Sequence, residues 1–168
     1  MTSGRSQDSA QGFARQLSAR IERWPIAGAF AISRGVKTEA VTVLAEISHG
    51  GHTGRGECVP YPRYGETAET TLAALQAMQE PLSRGLDRTA LQAAMPAGAA
   101  RNALDCALLD LEAKSSNQRV WTLLGRPAPR ACTTAFTISL GTPKAMAAAG
   151  ARPWPSPLPL PSGFPARS

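Results

Sequence analysis

The stretch from residue 99 to residue 114 constrains the fold most, because it carries the clearest helical period in the chain. Its apolar residues recur at intervals of three and four, so they line one side of a helix. Aromatic residues make up only 5% of the chain, so aliphatic and alanine side chains must supply most of the buried surface. Arg101 and Asp105 are four positions apart, and we expect them to pair on the helix surface. The apolar positions are Ala100, Ala103, Leu104, Ala107, Leu108 and Leu111.

Three strands are predicted before this helix. The first has Leu17, Ala19 and Ile21 on one face, and the second is rich in β-branched residues, with one apolar face and one mixed face. A short turn through two glycines joins the second strand to the third, so these two strands should be antiparallel. Residues 28–37 are predicted to form a loop bounded by glycines. The predicted strands are 14–24, 38–48 and 52–58.

Helices are predicted to follow the strands, which gives an α+β module. A proline-containing loop precedes them, and either Glu66 or Thr67 can cap the first helix. Gly85 should end that helix, and Asp87 should cap the next. The predicted helices are 68–84, 88–94, 99–114 and one or two turns within 119–125.

The pattern changes after residue 130. Residues 133–140 are predicted to form an isolated strand, and Thr142-Pro143 to begin a helix that runs to about Ala149. A strand followed by a helix is the opening unit of an α/β domain, and it cannot bury its faces alone. We therefore expect aggregation of the chain, or stabilisation by association, for example as a homo-oligomer. The expected division is a disordered 1–13, a domain at 14–130, a partial second domain at 131–149 and a tail at 150–168.

The last 18 residues contain six prolines, which are incompatible with helix and sheet. Two interpretations compete. The tail can be a proline-rich ligand of an SH3-type or WW-type domain, since PxxP spacing is present. It can also be non-native coding, such as a frameshift, because it begins within a helix where an α/β domain should continue. We favour the frameshift.

Composition excludes several classes of protein. The net charge is +6, but the arginines are scattered singly, so we expect no nucleic-acid partner and no membrane partner. Three well-separated cysteines make neither a disulfide framework nor a zinc site and are expected to be buried free thiols. The N-terminal residues contain no apolar stretch typical of a signal peptide, which favours the cytoplasm.

Four segments together resemble L-Ala-D/L-Glu epimerases, which are dipeptide epimerases of the muconate-lactonising branch of the enolase superfamily. The combination of PYPRYGE and AGAARNALDCAL in this order is specific. The last of the four segments resembles the first barrel strand of these enzymes. The segments are FAISRGVKTEA (30–40), GRGECVPYPRYGET (54–67), PAGAARNALDCALLDLEAK (96–114) and TTAFTISLGTP (133–143).

The resemblance implies an enolase N-terminal-like capping domain, with a three-stranded antiparallel sheet and helices, over a (β/α) barrel. The implied reaction is a 1,1-proton transfer at the α-carbon of the dipeptide's Glu, used in recycling peptidoglycan peptides. Two lysines on opposite faces exchange the proton, while Mg²⁺ held by three carboxylates takes up the charge of the enediolate.

The residues for that chemistry are missing from these 168 residues. After Glu112 there is no Asp or Glu, and the only lysines are Lys37, Lys114 and Lys144, none of them in the family's KxK motif. We therefore expect a truncated epimerase that contains the cap and the first strand and part of the first helix of the barrel. It should have no catalytic residue and no metal ligand in this chain, should bind no Mg²⁺ and should be inactive alone.

Five residues are carried over as substrate-binding candidates from the resemblance. Arg34, in the loop between the first two strands, matches an Arg that can bind the side-chain carboxylate of the dipeptide. Thr137 matches a Thr that contacts the peptide backbone. Tyr61, Arg63 and Tyr64 can line the pocket from a lid loop. An ordinary solvated or packing role is the competing interpretation for each.

Other polar residues have simpler interpretations. Glu57 lies in the cap, so a structural hydrogen bond is more plausible than acid catalysis. Asp105 and Asp110 project in different directions from one helix and are expected either to pair locally on the helix surface or to cap a loop. His49 and His52 flank the Gly-Gly turn and are expected to be exposed turn residues rather than a metal site. The alternative for the whole chain is a stand-alone α+β binding module that docks a partner through its proline-rich tail.

Overall fold

An open three-stranded sheet with helices packed on it forms the framework. The computed structural model describes residues 14–33, 35–133, 135 and 137–152, so the proline-rich tail beyond residue 152 lies outside the described residues. The strand order is β1-β2-β3, and the short connections make neighbouring strands antiparallel. The strands are β1 (Gln16–Ile32), β2 (Gly35–His49) and β3 (His52–Cys58). The predicted α+β architecture is confirmed.

The helices follow the sheet in the chain. A single turn of 3-10 helix, Pro62–Tyr64, precedes them. They are α1 (Ala68–Gln76), α2 (Gln79–Ser83), α3 (Arg88–Ala94), α4 (Ala99–Ser115), α5 (Val120–Leu123) and α6 (Pro143–Gly150). None of these helices combines the length and the apolar character that crossing a bilayer requires.

The chain divides into two compact units. The first comprises the residues up to Pro25 together with Glu39–Cys132, and it contains β3, α1–α5 and most of the core. The second comprises Ile26–Thr38 and the residues from Thr133 onward, and it contains α6. Each unit is described separately below.

The core of the first unit lies between the sheet and α4. In the register of the hairpin, Val43 lies opposite Cys58 and Ile47 opposite Gly54. The predicted apolar face of β2 is confirmed, since Val43, Ala45 and Ile47 are fully buried on the side that faces the helices. Thr42 and Leu44, on the other face, are buried as well. The predicted stripe of α4 is confirmed as well. Its buried members are Ala103, Leu104, Ala107, Leu108 and Leu111.

Helix α4 lies directly on the backbone of β3, because two glycines leave room for it. An added Cβ at Gly56 would collide with the carbonyl oxygen of Ala103 and come within 2.6 Å of the Ala107 nitrogen. An added Cβ at Gly54 would come within 2.6 Å of Cβ of Leu111. The obstructing atoms are mostly backbone and cannot rotate away. The close approach therefore requires glycine at both positions of β3.

Replacing Gly56 by Ala should destabilise the first unit by about 3 kcal/mol or more, because the helix must move off the strand to admit the methyl group. Urea unfolding followed by circular dichroism would measure this loss. Gly141→Ala is the matched control, since its Cβ would make only an ordinary 3.7 Å contact with Cβ of Ala145. Equal midpoints for G56A and wild type would contradict the close packing.

The prediction of one helix over 68–84 is wrong, since the chain turns at residues 77–78 and starts α2. The reason is Pro81, which has no N–H and whose ring would clash with the carbonyl of Ala77 in a continuous helix. The predicted end at Gly85 is confirmed by its positive φ of 95°.

Side-chain caps are found at three of the predicted helix starts. The hydroxyl of Thr67 accepts a hydrogen bond from the Thr70 N–H of α1 at 3.1 Å. The carboxylate of Asp87 accepts from the Ala90 N–H of α3 at 2.8 Å. Thr142 caps α6, which begins with a proline as expected.

Two further sequence predictions are corrected by the structure. Residues 28–37 are not all loop, because β1 extends to Ile32 and β2 begins at Gly35. Long neighbouring strands satisfy each other's backbone groups, which a polar loop would leave to water. Residues 133–140 were expected to form a strand, but those that the structure describes belong to no β-ladder. A single backbone bond, from Leu140 N–H to the Ala31 carbonyl at 2.8 Å, connects this segment to β1 within the second unit.

The expected pairing of Arg101 with Asp105 is also wrong. Arg88 forms a two-pronged ion pair with Asp105, with contacts of 3.0 and 3.2 Å. This planar fork-to-carboxylate geometry is stronger than a single contact along one helix, and it raises the pKa of the Arg88 guanidinium. Arg101 donates instead to the carbonyls of Gln92 and Met95, at the end of α3 where helix carbonyls lack partners. The pair with Asp105 therefore joins α3 to α4.

A charged cluster connects all three strands on the sheet face opposite α4. The Glu46 carboxylate accepts hydrogen bonds from Arg20 of β1 and Arg55 of β3, both at 2.6 Å. Arg20 also bonds Glu22 at 2.8 Å. The bonds from Arg20 and Arg55 hold the pKa of Glu46 below its usual value, against the opposing effect of burial.

Replacing Glu46 by Gln should cost about 1 kcal/mol near neutral pH, because both arginines are largely exposed and solvent weakens each pair. The lowered pKa means that this stability is present above the usual carboxylate pKa. It should be lost as the pH falls through the folded-state pKa of Glu46. The difference between E46Q and wild type should therefore vanish in acid, which pH-dependent urea unfolding would show. Glu80→Gln, which removes an exposed pair with Arg84, is the matched control; a pH-independent E46Q deficit would contradict the assignment.

All three cysteines are free, as expected, but only Cys58 is buried, while Cys106 and Cys132 are exposed. The expectation of three buried thiols is thus wrong for two of them, since both lie on positions that do not face the core. Burial raises the pKa of the Cys58 thiol to about 11, and its Sγ lies 3.6 Å from the Val43 carbonyl.

Cys58 should react with a thiol reagent at least about 100-fold more slowly than an ordinary surface thiol near neutral pH, because the thiolate is the reactive form. Labelling by a chromogenic disulfide, followed by mass spectrometry, should modify Cys132 first. Cys58 should become reactive only when urea unfolds the chain. Labelling of Cys58 at the rate of Cys132 in the folded protein would contradict its burial in the core.

Candidate functional site

The three tyrosine and arginine candidates of the lid loop lie on one tight turn, which we call the tyrosine turn (residues 61–66). The Tyr64 N–H donates to the Tyr61 carbonyl at 2.9 Å, and Gly65 closes the turn with a left-handed φ of 73°. The rings of Tyr61 and Tyr64 are 6.4 Å apart and inclined by 52°. Tyr61 is 50% exposed and Tyr64 is 74% exposed. The turn thus presents two aromatic rings and the exposed Arg63 to the outside of the first unit.

Glu66 joins this turn to helix α4, which the sequence analysis did not predict. One carboxylate oxygen accepts from the Ala99 N–H of α4 at 2.6 Å, and the other accepts from the Tyr61 N–H at 3.2 Å. The sequence left open whether Glu66 or Thr67 caps α1; Thr67 does so, and Glu66 binds the start of a different helix. The signal that could have found it is the glycine before α4, which gives that helix no capping side chain of its own.

Thr137 belongs to the second unit and is exposed. Its neighbour Ser139 is bound to β1, since its hydroxyl accepts from Ala31 N–H at 2.9 Å and donates to the Ala29 carbonyl at 3.2 Å. Arg34 lies outside the described residues. The structure therefore brings together Tyr61, Arg63 and Tyr64, while Thr137 is part of a separate unit.

Most acidic side chains in the described residues are engaged in structural contacts rather than gathered around a metal site. Asp110 accepts from the Arg55 backbone N–H at 2.8 Å and from Lys114 at 2.7 Å, as local pairing predicts. Glu57 is exposed on the face away from α4, and its carboxylate forms no hydrogen bond to a described residue, so the bond expected for it is not found. The described residues contain no group of three metal-binding side chains, so they do not fit a Mg²⁺ ion.

A cavity of about 530 Å³ lies near the C-terminal end of α4. His49 lines it, and the Nδ1 atom of this residue is buried without a partner among the described residues. His52 lies directly across the hairpin from His49 and is exposed. The charges around the cavity balance, with two arginines and two carboxylates, so they favour no charge of ligand. The charged lining residues are Arg15, Asp87, Arg88 and Glu112.

Comparison with known proteins gives matches over most of the chain. The model of the mandelate racemase / muconate lactonizing enzyme N-terminal domain matches residues 14–125. The chain is 44% identical over 133 residues to an L-Ala-D/L-Glu epimerase of Escherichia coli, which covers 79% of this chain and 41% of the relative. The chain thus spans about two-fifths of the length of that relative.

Solved structures give the same result. An enolase family member from Agrobacterium tumefaciens with homology to dipeptide epimerases, holding sodium and L-Ala-L-Glu with an ordered loop, superposes with a TM-score of 0.75 at 52% identity. The match covers 80% of this chain and 41% of that one. A dipeptide epimerase of Cytophaga hutchinsonii, in complex with Mg and D-Ala-L-Val, gives a TM-score of 0.69 at 26% identity, over 82% of this chain and 39% of that one.

Proposed function

Because the chain belongs to the mandelate racemase / muconate lactonizing enzyme family through its N-terminal domain, we propose that it is the substrate-capping part of a dipeptide epimerase. The observation that carries the proposal is the tyrosine turn. Two exposed aromatic rings and the exposed Arg63 stand on a turn that the Glu66 carboxylate joins to the N-terminus of α4. Exposed aromatic residues held on a rigid backbone are typical of a binding surface rather than of a solvated loop.

The proposed substrate is a dipeptide that ends in glutamate, like the L-Ala-L-Glu held by the Agrobacterium relative. In this proposal Tyr61 and Tyr64 cover the dipeptide and exclude water from it. The guanidinium of Arg34 binds the side-chain carboxylate in a two-pronged contact, and Arg63 adds positive charge. The hydroxyl of Thr137 bonds the peptide backbone of the dipeptide.

The proton transfer itself requires groups that the described part of the chain does not assemble. Removal of an α-proton beside a carboxylate needs strong stabilisation of the negative charge that develops, which Mg²⁺ supplies when carboxylates hold it. The carboxylates of Glu46, Glu66 and Asp110 are each bound by arginine, lysine or backbone N–H groups. We therefore propose that this chain binds part of the substrate and does not exchange the proton by itself.

One NMR experiment in D₂O tests both statements. The 168-residue chain is mixed with L-Ala-L-Glu and Mg²⁺, and the α-proton of the dipeptide and the tyrosine ring signals are followed together. The α-proton signal should persist, while the Tyr61 and Tyr64 signals should shift at about 10 mM dipeptide, because the cap supplies only some of the contacts. L-Ala-L-Gln is the matched control ligand and should shift them less, since it lacks the carboxylate that an arginine binds.

Two results would contradict the proposal. Loss of the α-proton signal at a rate that depends on the protein would show that the chain is active alone. Identical shifts with L-Ala-L-Glu and L-Ala-L-Gln would remove the assignment of a glutamate-ended substrate. In the Arg34→Ala variant the preference for L-Ala-L-Glu should disappear, and circular dichroism should show the same folded state as wild type.

A further inference from the structure

We propose that Glu66 is the positioning residue of the tyrosine turn: its carboxylate sets where Tyr61 and Tyr64 stand relative to the sheet. This inference rests on the proposed function, in which the two rings contact the dipeptide. Glu66 itself is assigned no contact with substrate. Its effect is exerted through the backbone of the turn.

The carboxylate binds two segments that are far apart in the chain. Tyr61 and Ala99 each donate a backbone N–H to a different oxygen of Glu66, at 3.2 and 2.6 Å. The Glu66 N–H donates to the Tyr61 carbonyl at 3.4 Å. Tyr61 and Glu66 are thus joined by two hydrogen bonds, one donated by each residue. The bonds between Tyr61 and Glu66 stabilise the turn itself. The bond to Ala99 joins the turn to the N-terminus of α4.

Helix α4 needs this carboxylate, because it has no acidic residue in its first turn and its N-cap, Gly98, has no side chain. The N-terminus of a helix carries unpaired N–H groups and partial positive charge, both of which favour an anion. Gly98 also makes room, since a Cβ there would lie 2.8 Å from the Glu66 oxygen. The helix that supports the core is therefore capped by the residue that ends the tyrosine turn.

Only a two-oxygen acceptor of this length can make both bonds. A glutamine keeps one carbonyl oxygen, which can still accept from Ala99, but its NH₂ group cannot accept from the Tyr61 N–H. An aspartate is shorter by one methylene and cannot span the two donors without moving one of them. Substitution by glutamine should thus separate release of the turn from loss of the helix cap.

The test is limited proteolysis of the full chain by trypsin at the Arg63–Tyr64 bond, which lies inside the turn. Glu66→Gln should be cut there about tenfold faster than wild type, with a similar midpoint of thermal unfolding, because one of two charge-assisted bonds is lost. Glu66→Ala should be cut faster still. Glu57→Gln is the matched control: it removes the same charge from an exposed residue nearby and should leave the cleavage rate unchanged.

A second measurement uses the wild-type chain and applies even if a variant does not fold. The amides of Tyr61 and Ala99 should both be protected from hydrogen exchange in wild type, and in E66Q, if it folds, the Tyr61 amide should lose protection while the Ala99 amide keeps it. An unprotected Tyr61 amide in wild type, or an unchanged cleavage rate in E66Q and E66A, would overturn the positioning role.

Titration with L-Ala-L-Glu keeps the two proposals distinguishable. In E66Q the shifts of the two tyrosines should need at least several-fold more dipeptide than in wild type. If wild type shows no shift at all while cleavage still rises in E66Q, the dipeptide assignment fails and the positioning role stands. If E66Q binds the dipeptide as wild type does, the carboxylate does not position the rings for substrate.

Discussion

The contact between α4 and the backbone of β3 is the constraint on which the rest of the first unit depends. Gly54 and Gly56 have no side chains, and the facing residues of α4 include Ala103 and Ala107, so a helix can lie against a strand without intervening side chains. Such close contact excludes water and leaves little freedom for the helix to slide or turn. Because α4 is held in this way, the positions of its two ends are fixed as well.

The contact between α4 and β3 also sets the position of the candidate site. The N-terminus of α4 lies where the tyrosine turn ends, and the Glu66 carboxylate binds both. The turn that carries the aromatic rings is therefore held by the Glu66 side chain to a helix that is packed on the sheet, while both tyrosines stay exposed. A loop that carries function commonly combines an exposed tip with a rigidly supported base.

The elements with a strong local pattern could be predicted from the sequence. The β2–β3 hairpin and α4 follow from alternation and helical spacing, and the grouping of Tyr61, Arg63 and Tyr64 follows from their proximity in the chain. Contacts between residues distant in sequence could not be predicted in the same way. The pairs Arg88–Asp105 and Glu66–Ala99 depend on how α3 and the tyrosine turn pack against α4. The spacing of residues within one segment does not indicate such packing. The break before α2 had a local signal in Pro81, and the close approach at β3 had one in its alternating glycines.

Strand β3 is the last strand of the sheet, so one side of its backbone has no neighbouring strand. Two side chains of α4 form hydrogen bonds with backbone groups of this strand. Asp110 accepts from the Arg55 N–H, and Lys114 donates to the Thr53 carbonyl at 2.8 Å. An exposed strand edge with free N–H and C=O groups invites another chain to add a strand. By supplying one acceptor and one donor to these groups, α4 hinders β-augmentation at that edge, so the same helix that builds the core also keeps another strand from adding beside β3.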